Sequence, residues 1–114
     1  MNVVCFGDSN TYGYDPRFYL GGRYDPDSRW VDILAVETGW SVCNMGQNGR
    51  EIPSAAPAFP ADTDLLIVML GTNDLLQGRS PEQAAERLER FLSGIPLDRS
   101  KILVIAPPPV KRGA

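Results

Sequence analysis

Three polar segments carry side chains that can do chemistry together: Gly7-Asp8-Ser9-Asn10, Asn44-Met45-Gly46-Gln47-Asn48-Gly49 and Gly71-Thr72-Asn73-Asp74. They offer a hydroxyl, glycine backbone and a carboxamide, a set that suits acyl transfer. Attack on an ester carbonyl passes through a tetrahedral intermediate whose oxygen becomes an anion. A site for it needs a nucleophile and several donors aimed at that anion. Ser9 can be the nucleophile, and its own N–H one donor. A glycine N–H is a second, because a missing side chain lets the substrate come close. The Asn73 carboxamide is a third. Each piece also has a plainer role. Gly-Asp-Ser after a strand is a common turn with a helix cap, Gly-Thr-Asn-Asp is a good turn, and Asn44 with its glycines means little alone. The weight lies in all three following consecutive strands.

The elements that must position these segments read as follows. Residues 2–6, 40–44, 65–70 and 101–106 are short apolar runs, which predicts buried strands; 65–70 is apolar throughout and reads as central. Residues 7–13 read as a polar loop, and 14–27, rich in Asp, Pro, Gly and Tyr, as an irregular surface excursion. Ser28 is a plausible N-cap for a helix running to Thr38, with Trp30, Ile33, Leu34 and Glu37 at helical spacing and Gly39 as its stop. Residues 45–64, with Pro53, Pro57 and Pro60, form a long connection holding at most a helical turn. Ser80-Pro81-Glu82-Gln83 opens a second helix: Ser80 caps, Pro81 fits the first turn and Gln83 completes a capping box. Its apolar stripe is Ala84, Leu88, Phe91, Leu92 and Ile95, and Gly94 and Pro96 end it. Strands alternating with helices predict an α/β fold, a parallel sheet with helices on its faces.

With 114 residues the chain suits one small domain, and 43% hydrophobic with 22% charged residues is a globular balance with no sign of disorder. A net charge of −3 argues against a nucleic-acid partner. The apolar run 65–70 is too short to span a bilayer, and no basic leader precedes the first strand, so the expectation is no membrane and a cytoplasmic location. Cys5 and Cys43 both fall in apolar runs and read as small buried core residues; a disulfide requires neighbouring strands in the right register. Two cysteines without histidine make no zinc site, and no cofactor is expected. The sequence contains no histidine, which rules out a histidine general base within it.

Phe6-Gly7-Asp8-Ser9 resembles block I of the SGNH hydrolases, the motif that names the GDSL family. Asn44-x-Gly46-x-x-Gly49 is similar to block II, and Gly71-Thr72-Asn73-Asp74 to block III. Arg29-Trp30 and Ala106-Pro107-Pro108-Pro109 look most like the arylesterase and acyltransferase-like branch. The resemblance implies a three-layer α/β/α, flavodoxin-like parallel sheet of order 2-1-3-4, lacking the family's last strand and helix, so that residues 1–114 form one partial domain. It implies Ser9 as nucleophile and Asn73 as oxyanion-hole amide. It favours Gly49 over Gly46 as the oxyanion-hole glycine, with Asp8 and Asp74 as loop-bracing carboxylates. The family's Asp-x-x-His, which supplies the base and the carboxylate that orients it, is missing. Asp8 or Asp74 is poorly matched to that proton transfer at neutral pH.

The function expected is therefore a serine ester hydrolase acting on small or aryl esters, or acetylated sugars, through an acyl-enzyme, and inactive as this chain alone. Its partners are a small-molecule ester and a separate segment carrying Asp-x-x-His. A split polypeptide is favoured over a truncated product, because an apolar last strand left at an edge needs something against it. The loop 51–64, with Phe59, either walls an acyl pocket or packs on the surface. The alternatives are a flavodoxin-like module whose Ser9-Asn10-Thr11-Tyr12-Gly13 loop cradles a phosphate or flavin, and a catalytically dead interaction subunit.

Overall fold

The computed structural model describes residues 1–14 and 22–107. The readings that fall on 15–21, within the surface excursion, and on Pro108, Pro109 and the segment to Ala114 lie outside the described residues. The elements are β1 (Asn2–Gly7), α1 (Ser9–Tyr12), α2 (Trp30–Thr38), β2 (Ser41–Gly46), β3 (Leu65–Met69), α3 (Thr72–Leu76), α4 (Pro81–Ser93) and β4 (Ile102–Val104). All strand pairs are parallel, and the order is β2-β1-β3-β4, as the resemblance implied.

Three layers follow from the period of two along β1 and β3. Val4, Phe6, Leu66 and Val68 point to one face and pack with Phe91, Leu92 and Ile95 of the α4 segment. Val3, Cys5 and Ile67 point to the other and pack under Val31 of α2. Both faces are covered, which is why these strands read as unbroken apolar runs. Phe6 anchors the larger core. Its ring stacks on Phe91 with centroids 5.4 Å apart and meets Phe59 edge-on at 5.6 Å. Phe59 and Ala56, both half-buried, pack against this core, so this part of the 51–64 loop is more than a surface excursion.

Several expectations need correcting. Ser9 begins a helical turn, α1, where an open loop was expected, because Asp8 caps it by accepting the Asn10 N–H at 3.0 Å. The backbone N–H groups of Thr11 and Tyr12 go to Asp8 O, and those of Gly13 and Tyr14 go to Ser9 O. These four N–H groups are therefore spent within the turn. Ser28 does not cap α2; it ends a 3₁₀ turn (Pro26–Ser28), and Arg29 stands at the cap without a side-chain capping bond, its guanidinium pairing with Asp32 instead. The face of α2 also differs. Val31 is buried with Trp30 and Leu34 beside it, whereas Ile33 and Val36 face outward, Val36 at 81% exposure. Apolar residues surround this helix, so spacing alone could not select the contact face. The last strand is shorter than 101–106, since a second 3₁₀ turn (Arg99–Lys101) takes its start.

Of the cysteines, only Cys5 is buried; Cys43 is exposed on the edge strand β2. Cys43 lies beside Val4, and Cys5 beside Asn44. Parallel neighbours share a face, so the two thiols point to opposite sides of the sheet and remain free. The second helix starts as expected, though it ends at Ser93, so that Ile95 joins the core from just beyond it. Ser80 Oγ accepts from Gln83 N at 3.1 Å, and Gln83 Oε1 accepts from Ser80 N at 2.9 Å.

Candidate active site

The strand register gathers the three polar segments. Gly7, the last residue of β1, stands level with Gly46 of β2 and Met69 of β3. The chain therefore leaves all three strands at one edge of the sheet, where open α/β folds place their sites. Ser9 is half-buried at the start of α1, and Asn73 half-buried in the first turn of α3. Gly49 is exposed in the turn after β2. Among the described residues, the backbone N–H groups of Ser9 and Gly49 have no acceptor.

Direct bonds tie the segments together. Gln47 N donates to Gly7 O at 3.1 Å. Asn44 Nδ2 donates to Thr11 O at 2.9 Å, while Asn44 Oδ1 accepts from Gly46 N at 2.8 Å. Asn73 Nδ2 donates to Arg50 O at 3.0 Å. The two glycines of the second segment differ in what they permit. A Cβ on Gly46 would lie 2.3 Å from the Tyr12 backbone nitrogen, so Gly46 is the point where β2 and α1 touch. Gly49 has open space around it and φ +77°, so its glycine serves the backbone turn.

The two carboxylates are fully buried and committed to the loops. Asp8 caps α1 through one oxygen; its other oxygen has no hydrogen-bond partner among the described residues. Burial raises the Asp8 pKa above 3.8, against the lowering effect of its bonds to Asn10. Asp74 accepts from Ile52 N at 2.9 Å and from Arg87 Nε at 3.0 Å. Arg87 Nη2 also donates to Ile52 O at 2.8 Å, and Arg79, itself paired with Glu51, stands 4.0 Å from Asp74. Asp74 thereby links α3 and α4 to the segment after β2. A buried carboxylate held this way braces the segments that converge at this edge.

Sequence reasoning passed over Arg50 and Arg87 at this edge, and gave Trp30 no part in the site beyond the Arg29-Trp30 resemblance. Trp30 Nε1 donates to Asn10 O at 3.1 Å, next to Ser9. Arg50 reaches from its turn to the ends of β1 and β2. The one available signal for Arg50 was an arginine directly after Gly49; nothing in sequence set Arg87 apart on the polar side of α4. Among the described residues, no group of three or more His, Cys, Asp or Glu side chains is placed to hold a metal.

A three-layer parallel sheet with polar segments converging at the carboxyl ends of its strands defines the class. Residues 5–114 match the GDSL-like lipase/acylhydrolase family, and the chain belongs to it. It is similar to a carbohydrate acetylesterase family member from Sinorhizobium meliloti, with 26% identity and a TM-score of 0.75 over 96% of this chain and 64% of that one. An inhibitor-bound aryl esterase of M. smegmatis gives 26% identity and a TM-score of 0.77 over 95% of this chain and 64% of that one. A member of the lipolytic protein G-D-S-L family from Veillonella parvula gives 31% and 0.59, over 93% and 57%. The chain thus spans about 64% of the length of the first two. No protein of curated function matches it.

Proposed function

We propose that this chain supplies the nucleophile and oxyanion-binding part of a serine ester hydrolase. Ser9 attacks the ester carbonyl, and the N–H groups of Ser9 and Gly49 with the Asn73 carboxamide receive the developing anion. One observation carries the reading: β1, β2 and β3 end at one level, with Gly7 beside Gly46 and Met69. That level delivers a hydroxyl, a glycine turn and a carboxamide to one edge. The substrate is a small or aryl ester or an acetylated sugar, in keeping with the esterases it resembles. A serine hydroxyl is a weak nucleophile without a base, and the sequence holds no histidine. The base in this proposal is an Asp-x-x-His segment carried outside these 114 residues.

The test is an intact-mass spectrum after exposure to a fluorophosphonate, with aryl acetate hydrolysis measured alongside. Both are run on the chain alone and with a polypeptide carrying Asp-x-x-His. The expected result is one adduct, on Ser9, formed with the added segment and absent from Ser9→Ala. Asn73→Ala should slow turnover by about 10²- to 10³-fold. Unchanged labelling in Ser9→Ala would overturn the nucleophile assignment.

A further inference from the structure

Arg50 touches all three polar segments. Its Nη1 donates to Gly7 O at 3.3 Å and to Met45 O, and its Nη2 donates to Gln47 Oε1 at 2.9 Å. The guanidinium carbon lies over the Phe6 ring, 4.1 Å from its centroid. The Arg50 backbone carbonyl, in turn, accepts from Asn73 Nδ2. The side chain is thus fixed to the ends of β1 and β2, and the main chain to α3.

The oxygens bonded to the guanidinium are all uncharged: two peptide carbonyls and a carboxamide. Placing a half-buried cation there costs desolvation, which the charge of nearby Asp8 offsets only in part. Geometry accounts for the choice. A planar fork reaches carbonyls on two strands and a loop side chain at once, while its face packs on an aromatic ring; a lysine point charge cannot do this. A carboxamide has two N–H donors. With one held by Arg50 O, the plane of Asn73 is set and the second N–H has a fixed direction.

We propose that Arg50 is a positioning residue: its side chain holds the backbone whose carbonyl orients Asn73, and so registers Asn73 against the Ser9 and Gly49 turns. The catalytic consequence rests on the function proposed above; the mechanical linkage does not. Nitrogen-15 relaxation of the Asn73 side-chain NH₂ tests the linkage directly on the 114-residue chain. In the wild type its order parameter should approach that of rigid backbone, about 0.85. In R50Q it should fall below about 0.6, while the amides of α4 keep their values. R50K should also loosen it, because charge without the fork does not restore the contacts.

A mobile Asn73 in the wild type, or an unchanged order parameter in folded R50Q, overturns the proposal. Should R50Q fail to fold, R50K decides alone, and wild-type order in that variant overturns it. Fluorophosphonate labelling of Ser9, with the Asp-x-x-His polypeptide present, is the second readout. Labelling should slow about tenfold or more in R50K, the effect of losing roughly one hydrogen bond to a charged group. A wild type that never labels removes the esterase reading and leaves the relaxation result to judge Arg50.

Discussion

Two thiols on adjacent strands have opposite fates. Burial pushes the Cys5 thiol up to about 12, with Cys43 adding to the rise, so Cys5 holds almost no thiolate near neutrality. Cys43 is exposed. One equivalent of iodoacetamide should therefore react readily at pH 8, and peptide mapping should place it on Cys43. Rapid modification of both in folded protein would contradict the packing of β1. Asp8 makes a second case. Its pKa is raised above 3.8, chiefly by burial. An acid with a raised folded pKa contributes its full stability below the unfolded value. That contribution is lost as pH rises through the folded one. At neutral pH Asp8 is thus a buried charge carried at a cost. Asp8→Asn keeps an oxygen for the Asn10 N–H and removes the charge. The stability of Asp8→Asn relative to wild type should rise from pH 4 to pH 7, read as urea midpoints. A difference that is constant with pH would show that Asp8 does not titrate in that window.

At the scale of elements, the site depends on how closely α1 and β2 approach. The resemblance favoured Gly49 over Gly46 as the oxyanion-hole glycine, and their surroundings give the two glycines different physical roles. Gly46→Ala would set a Cβ 2.3 Å from the Tyr12 nitrogen, so α1 must move. Overpacking of this kind costs roughly 1–3 kcal/mol. Gly49→Ala meets no atom but forces a side chain at φ +77°, costing about 1–2 kcal/mol. Both should lower the thermal midpoint. Only Gly46→Ala should shift the NMR resonances of Thr11 and Tyr12, because only there does the new carbon touch α1. Equal shifts from both would mean that the two turns move as one body. The Asp74–Arg87 contact plays a similar part on the other side, joining α3 to α4 through the Ile52 backbone.

For the whole molecule, the sheet is covered unevenly. Leu103 lies beside Ile67 on the α2 face, yet α2 sits over β1 and β2, and Leu103 stays 50% exposed. Val104 on the same edge strand is 41% exposed. An edge strand that presents apolar side chains is a template for association. The 114-residue chain should show a mass by light scattering that grows with concentration. Leu103→Lys should hold it closer to a monomer without lowering the thermal midpoint. A wild-type chain that is monomeric at every concentration would show that this face is tolerated bare.

By itself the sequence determined the parallel α/β architecture, the α4 capping box and the three polar segments. These depend on short-range rules: unbroken apolar runs for strands covered on both faces, Ser-x-x-Gln at a helix start, and glycine with polar residues at strand ends. It could not choose the buried face of α2, because apolar residues line nearly all of that helix. Nor could it show that Ser9 opens a helical turn, since Asp8 serves a cap and an open loop equally well. Tertiary structure decided those points, and it decided the register that sets Gly7 level with Gly46 and Met69. It also revealed Arg50, whose contacts reach residues 43 positions before it and 23 after it. Local spacing records which residues a segment offers. Contacts over such separations depend on how strands align across the sheet, and no local pattern encodes that alignment.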